Sequence, residues 1–98
     1  MEYDYIIVGA GSAGCVMANR LSADGKHKVL VLEAGKKSNF WTQFPISFAL
    51  LLDDPKANWR FRSEPEEGTA NRVIPVPRGK VLGGSSAING LVYVRGQP

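Results

Sequence analysis

Three glycines and one glutamate carry the clearest chemical signal in the sequence. The glycines form Gly9-x-Gly11-x-x-Gly14, directly after the apolar run 5–8. Gly9 permits a tight turn, Gly11 leaves room for a pyrophosphate against the backbone, and Gly14 allows close helix packing. Glu33 lies about 20 residues further on, where a carboxylate accepts hydrogen bonds from an adenosine ribose and repels a 2′-phosphate. These residues predict dinucleotide binding; the alternative is a purely structural βαβ turn.

The elements that must position these residues follow from the hydrophobic pattern. We expect a strand over 3–8, a helix over 12–23 and a second parallel strand over 29–32, joined by a right-handed crossover. Asp24-Gly25 predicts a left-handed end for the helix. The N–H groups and positive dipole end of that helix would face the phosphates. The predicted fold class is therefore α/β, a Rossmann-like βαβ half-domain with parallel strands that is incomplete.

Beyond the second strand the signals are shorter. We expect a polar loop over 34–39 and a short helix over 46–52, with Pro45 in its first turn. A half-buried strand is expected over 59–63, followed by an extended segment over 72–77, whose prolines exclude it from the centre of a sheet. Residues 91–94 are expected to form a strand or an extended segment. Asp53-Asp54-Pro55 is expected to end the helix. Two parallel strands bury little against the cost of ordering the backbone, so we expect marginal stability for the chain alone.

Composition narrows the function classes. The 98 residues, 44% apolar, allow one small domain or part of one, here assigned to 1–98. The net charge is only +3 and the basic residues are scattered apart from Lys36-Lys37, which disfavours nucleic acid as a partner. No apolar run approaches the ~18–20 residues of a membrane span, and the first residues lack the basic region of a secretory signal. A cytoplasmic location is expected by default, with peripheral membrane association left open.

Several reactive residue types have no chemical role in this interpretation. The single cysteine, Cys15, is expected to be a buried, inert thiol in the first helix, and the single histidine, His27, to lie on the surface beside lysines. The pair Asp53-Asp54 has no histidine nearby and is assigned to a turn rather than to a metal. The sequence therefore predicts no catalytic residue and no metal site in this chain.

A second glycine-rich stretch, 79–90, contains Gly83-Gly84-Ser85-Ser86. It offers backbone N–H donors and two hydroxyls, which suit a second contact to a phosphate or a polar ring edge. Ser85 or Ser86 is expected to cap a helix start. Taken alone, the stretch favours an ordinary glycine-serine loop.

The two motifs together resemble the glucose–methanol–choline (GMC) oxidoreductase family. The first is 4–14 with Leu32-Glu-Ala-Gly35, and the second is Gly79-Lys-Val-Leu-Gly-Gly-Ser-Ser-Ala-Ile-Asn89. The similarity extends over essentially the whole chain, and 78–96 looks most like choline dehydrogenases and related alcohol dehydrogenases. The pair of motifs is much more specific than either motif alone.

The resemblance implies FAD rather than NAD as the cofactor. Ile88 stands where some members carry a histidine that links FAD covalently, so noncovalent FAD is implied. The residues implied to hold it are Gly9, Gly11, Ser12, Ala13 and Gly14 at the pyrophosphate, Glu33 and Ala34 at the ribose, and Arg78, Val81, Gly83, Gly84, Ser85, Asn89, Gly90 and Val92 at the phosphates and flavin.

The resemblance also implies a reaction, the oxidation of an alcohol by hydride transfer to the flavin. The family's histidine base lies far beyond the matching region, so this chain alone is expected to be inactive. A dehydrogenase is expected rather than an oxidase, with the alcohol and the electron acceptor left open. The alternatives are an NAD-binding module and a non-catalytic truncated fragment.

Overall fold

The computed structural model describes residues 1–37 and 40–97, and Ser38 and Asn39 of the predicted polar loop lie outside the described residues. The helices and strands, in chain order, are β1 (Tyr5–Val8), α1 (Ser12–Ser22), β2 (Val29–Leu32), α2 (Phe48–Asp53), β3 (Phe61–Arg62) and β4 (Pro75–Val76). Short 3₁₀ turns at Phe40–Gln43, Pro45–Ser47, Glu67–Thr69 and Gly84–Ala87 complete the list.

The strand–helix–strand unit at the N-terminus is confirmed. β1 and β2 pair in parallel, with Ile7 opposite Val31 in the register. β2 has its predicted bounds, β1 begins two residues later than expected, and α1 ends one residue earlier. Gly14 is required for packing, because a Cβ there would lie 2.0 Å from the carbonyl oxygen of Gly9. Its lack of a side chain lets α1 lie against the end of β1.

The predicted strand over 59–63 and the extended segment over 72–77 form one short antiparallel pair. β3 and β4 place Phe61 opposite Val76 and Arg62 opposite Pro75. Pro75 lies in a two-stranded sheet with no strand on its other side among the described residues, as expected of a residue without an N–H. In the same described ranges, residues 91–94 form no strand.

The predicted helix over 46–52 begins as a 3₁₀ turn and continues as α2. Pro45 occupies the first helical turn at Pro45–Ser47, and α2 ends at Asp53 as expected. Ser47 lies at the junction of the two pieces, as the last residue of the 3₁₀ turn and the N-cap of α2. It is only 3% exposed, and its hydroxyl donates to the carbonyls of Trp41 and Phe44, which precede the turn. A proline at a helix start gives up no intrahelical hydrogen bond.

The hydrophobic core lies in the second half of the chain. Leu51, Ala57, Val81 and Ile88 are each at most 2% exposed and pack together. By contrast, α1 contains no buried residue. The prediction of a buried Cys15 is therefore wrong: the thiol is exposed and donates to the carbonyl of Ala10 at 3.3 Å.

Candidate functional site

Three hydrogen bonds from other parts of the chain fix the turn between β1 and α1. Gly9 has a φ of +95° and donates its N–H to the carbonyl of Leu32 at 2.7 Å. Ala10, only 1% exposed, donates its N–H to Oε2 of Glu33 at 2.8 Å and accepts a hydrogen bond from the N–H of Gly83 at 2.8 Å. The turn is thus fixed by β2 and by the second glycine-rich stretch.

The N-terminus of α1 opens directly from this turn. Its N-cap is Gly11, no side chain caps it, and its first turn has no acidic residue. A Cβ built on Gly11 would meet nothing of this chain within 4 Å, and the φ of −78° is open to any residue. The chain itself therefore imposes no need for glycine at this position. The first N–H groups of a helix lack intrahelical partners and carry positive charge, which suits a phosphate beside Gly11.

Glu33 has a structural role that the sequence did not reveal. Its Oε2 accepts from Ala10 and its Oε1 accepts from the N–H of Gly35 at 2.9 Å. The two bonds fix the orientation of the half-buried carboxylate. Each carboxylate oxygen keeps a second lone pair, so Glu33 retains the capacity to accept further hydrogen bonds.

The second glycine-rich stretch packs against the first. Leu82 donates its N–H to the carbonyl of Lys36 at 3.0 Å, and Gly83 donates to Ala10 at 2.8 Å. Gly84 has a φ of +60°, and a Cβ there would lie 2.9 Å from Cα of Gly11. The two motifs, distant in the sequence, are therefore in backbone contact.

The prediction that Ser85 or Ser86 caps a helix is wrong. Both lie inside the 3₁₀ turn Gly84–Ala87, whose N-cap Gly83 makes no side-chain hydrogen bond. Oγ of Ser85 instead accepts from the N–H of Gly79 at 3.0 Å, and Oγ of Ser86 donates to the carbonyl of Gly83 at 2.7 Å. The two hydroxyls close the loop rather than begin a helix.

Two cavities adjoin these motifs. The first, of about 350 Å³, is lined by Val8, Gly9, Gly11, Leu32, Glu33, Ala34, Trp59, Gly79, Gly84 and Ser85. The second, of about 340 Å³, is lined by Phe48, Leu52, Pro77, Arg78, Ser85, Ile88, Asn89 and Gly90. Ser85 belongs to both. A larger cavity, of about 500 Å³, lies beside β3 and β4 and contains none of the predicted site residues.

The structure separates the predicted cofactor residues into three groups. Six line the first cavity: Gly9, Gly11, Glu33, Ala34, Gly84 and Ser85. Arg78, Asn89 and Gly90 join Ser85 in the second. Ser12, Ala13, Gly14, Val81, Gly83 and Val92 line neither cavity. Of these, Val81 is in the core, Val92 is 82% exposed, and Ser12, Ala13 and Gly14 form the first turn of α1.

Trp59 is a residue that the sequence interpretation missed. It lines the first cavity, stacks on Phe61 with an interplanar angle of 5°, and lies 4.4 Å from Nζ of Lys80. A partly exposed aromatic face suits a planar ring. The alternation of aromatic and charged side chains at 59–62 was the available signal, but it predicted only a strand. The backbone N–H of Trp59 donates to the carbonyl of Arg78 at 2.9 Å, and this bond places the indole ring beside the site.

Two other features are absent from the described parts of the chain. Within 1–37 and 40–97, no cluster of three or more histidine, cysteine, aspartate or glutamate residues could hold a metal ion. No helix in those ranges is long and apolar enough to cross a membrane.

The fold and the site together have the arrangement of a βαβ dinucleotide-binding unit. A family model described as GMC oxidoreductase matches residues 3–98, and the chain belongs to that family. Among curated relatives it is 55% identical over 95 residues to an oxygen-dependent choline dehydrogenase of Photobacterium profundum and to an alcohol dehydrogenase [acceptor] of Pseudomonas putida. Each match covers 96% of this chain and 17% of the relative, so the chain spans about a sixth of those proteins.

Solved structures give the same result. Pyridoxine 4-oxidase from Mesorbium loti superposes with a TM-score of 0.89 at 38% identity, covering 99% of this chain and 19% of that one. An FAD-dependent oxidoreductase from Chaetomium thermophilum gives 0.78 at 36% identity, covering 97% and 16%. The predicted family and fold class are confirmed. The predicted cofactor, FAD, agrees with the family and with the Chaetomium thermophilum neighbour, which is FAD-dependent.

Proposed function

We propose that this chain is the FAD-binding N-terminal region of a choline-like alcohol oxidoreductase. One observation carries the proposal: the two glycine-rich motifs meet at Ala10, between the open N-terminus of α1 and the carboxylate of Glu33. A structural βαβ turn alone would need neither the unfilled space at Gly11 nor the second loop beside it.

The residues present fit FAD. The free N–H groups at the start of α1 suit the diphosphate, and the space that a Cβ on Gly11 would fill is open to it. Glu33 is fixed by two backbone amides and suits the ribose hydroxyls, and its charge disfavours a 2′-phosphate. The second cavity, with Asn89 and Gly90, suits the flavin end. Bound there, the flavin supplies the capacity to accept a hydride.

Noncovalent attachment of the flavin is part of the proposal. The family resemblance places Ile88 where some members are expected to carry the linking histidine. Ile88 is 2% exposed within the core cluster. A hydrocarbon side chain has no atom that can form such a link. Ile88 instead contributes an apolar wall to the second cavity.

An alcohol is the proposed substrate class, since the relatives include choline dehydrogenases and an alcohol dehydrogenase. We assign no catalytic base to the described residues. His27, which is exposed and hydrogen-bonded to Asp24, lies in the turn after α1 and lines neither cavity. The base and the substrate contacts are assigned to parts of the relatives that this chain does not span. A cytoplasmic location stays a prediction, to be checked by cell fractionation.

The cofactor is tested by acid release. The full-length protein that contains these residues, purified and precipitated with acid, is expected to release FAD, identified by its absorption and retention time. A colourless supernatant over a colourless pellet would mean that the cofactor is wrong, a yellow pellet would mean that the flavin is covalently linked, and bound NAD would favour the NAD-binding alternative. The DNA beyond codon 98 distinguishes the remaining alternative: an open frame with a late histidine supports the enzyme, and an immediate stop codon supports a non-catalytic fragment.

The behaviour of the 98-residue chain by itself is a separate test. We expect no alcohol oxidation from it, even with added FAD, because no catalytic base is assigned to the described residues. We also expect a broad unfolding transition, because α1 contains no fully buried residue. Thermal unfolding followed by circular dichroism measures this. A sharp cooperative transition above about 60 °C would contradict the expectation.

A further inference from the structure

Asn58 is the most deeply buried polar side chain among the described residues, at 2% exposure. Its Oδ1 accepts from the N–H groups of Arg60 at 2.9 Å and Arg78 at 3.0 Å. Its Nδ2 donates to the carbonyl of Leu52 at 2.7 Å. One side chain therefore joins the end of α2, the start of β3 and the entrance to the second glycine-rich stretch.

The backbone around Asn58 strengthens this connection. Trp59 donates to the carbonyl of Arg78 at 2.9 Å, and Lys80 donates to the carbonyl of Ala57 at 2.7 Å. These bonds align 57–59 with 78–80 in an antiparallel bridge centred on Asn58 and Gly79. The bridge also brings Trp59 to the first cavity.

From this bridge a short series of contacts reaches the cofactor site. Gly79 donates its N–H to Oγ of Ser85 at 3.0 Å, and a Cβ on Gly79 would lie 2.1 Å from the carbonyl oxygen of Gly84. Gly84 in turn approaches Cα of Gly11 so closely that a Cβ there would come within 2.9 Å of it. The position of Arg78 and Gly79 therefore sets the position of the loop that faces the open end of α1.

Asn58 also supports an unusual backbone conformation. Arg60 has a φ of +57°, a left-handed conformation that costs a residue other than glycine free energy. The hydrogen bond from its N–H to Oδ1 of Asn58 is the Asx-type turn that compensates for this cost. Without that bond, residues 58–60 would leave this backbone conformation, and their pairing with Arg78 would be weakened.

We propose that Asn58 is a positioning residue for the cofactor site, which it does not itself line. Its three hydrogen bonds hold the second loop in the arrangement that closes over the start of α1. The proposal rests on the proposed FAD site and adds to it. If the loop occupies that arrangement only part of the time, the apparent Kd rises in inverse proportion to the fraction of molecules that keep the arrangement.

The test compares three variants of the full-length protein: Asn58→Ala, Asn58→Asp and the control Ser47→Ala. Ser47 is similarly buried, at 3% exposure, but within the described residues its hydroxyl bonds only to the neighbouring carbonyls of Trp41 and Phe44. Asn58→Asp keeps an acceptor for the amides of Arg60 and Arg78 but places a carboxylate oxygen, instead of a donor, against the carbonyl of Leu52. The FAD Kd of the deflavinated protein is measured by flavin fluorescence, together with the Tm of the apoprotein.

We expect Asn58→Ala to raise the Kd about tenfold, the equivalent of one or two lost hydrogen bonds, and Asn58→Asp to raise it less. Ser47→Ala is expected to lower the Tm and leave the Kd unchanged. Equal Kd values for all variants and the wild type would overturn the inference, as would a Ser47→Ala effect equal to that of Asn58→Ala. If Asn58→Ala does not fold, the Asn58→Asp result decides between the same outcomes. A wild type that binds no FAD would instead refute the proposed function.

Discussion

Two regions of this chain contribute to one site in different ways. The βαβ unit (residues 5–33) has the stronger sequence pattern, yet in it only Ile7 and Ala10 are buried. The packed segment (residues 45–90) has weak, short signals, yet it contains the core cluster and the buried amide of Asn58. The clearest sequence motif is thus not the most buried part of the structure.

The difference has a physical reason. A phosphate-binding turn needs exposed backbone N–H groups and missing side chains, and both reduce burial. The β1 side chains Ile6 and Val8 are 61% and 84% exposed, although the strands of parallel sheets are normally covered on both faces. The packed segment fixes this turn, because Gly83 donates a hydrogen bond to Ala10 and Gly84 lies against Gly11. The βαβ unit supplies binding geometry, and the packed segment supplies rigidity.

The largest effect should come from Gly14→Ala. Its Cβ would lie 2.0 Å from the carbonyl oxygen of Gly9, so α1 must move away from β1, at a cost of about 3 kcal/mol or more. We expect a lower Tm and loss of bound FAD from the full-length protein. Gly68→Ala is the matched control, because a Cβ there meets nothing within 4 Å. A normal Tm for Gly14→Ala would show that helix and strand do not pack as described.

Leu51→Ala and Val16→Ala compare the two regions directly in the 98-residue chain. Leu51 is 2% exposed in the core cluster, so its truncation should cost about 2–5 kcal/mol and remove most of the folded population. Val16 is 60% exposed on α1, so its truncation should change the free energy of unfolding by less than about 0.5 kcal/mol. Urea unfolding followed by circular dichroism measures both. Equal losses would show that the βαβ unit is packed as firmly as the rest.

Gly11→Ala should separate binding from folding. The chain offers no contact within 4 Å of the new Cβ, so the apoprotein should keep its Tm. The methyl group would occupy the space proposed for the diphosphate, and we expect the FAD Kd of the full-length protein to rise about 10- to 100-fold. Isothermal titration of the apoprotein gives the Kd. Unchanged affinity would remove the diphosphate from this end of α1.

The smallest effect should come from Asp24→Asn, in the turn after α1. The N–H of Lys26, and secondarily His27, lower the pKa of Asp24 below its ordinary value of 3.8. Because the folded-state pKa is depressed, the stabilisation is present above pH 3.8 and is lost as the pH falls through the folded-state pKa. Asp24 is exposed, so the Tm difference between wild type and variant should be small at pH 7 and should vanish once the pH lies below the folded-state pKa. A difference that grows on acidification would contradict this sign.

Part of the site could be predicted because it depends on neighbours in the chain. The turn at Gly9, the start of α1 and the end of β2 at Leu32 follow from local geometry and hydrophobic pattern, and all are confirmed. The left-handed Gly25, with a φ of +68°, is confirmed for the same reason. The residue type determines its conformational freedom, and the sequence gives its immediate neighbours, so both can be read without the tertiary structure.

Other features depended on which distant segment comes close. The burial of Val81, the exposure of Cys15 and the loop-closing hydroxyl of Ser85 were all outside the reach of local patterns. Trp59 was predicted only as part of a strand, and its place beside the cavity depends on its pairing with Arg78. Side-chain burial is a property of packing, and periodicity describes only which face could be buried.

By itself, the sequence determined a glycine-rich turn, a helix behind it and a carboxylate at the end of the next strand. Only the tertiary structure decided that Glu33 and Gly83 both bind the backbone of Ala10, and that Asn58 holds the second loop in place. The reason is that these hydrogen bonds join segments far apart in the chain. Their geometry is set by the packing of the whole described chain and not by any local run of residues.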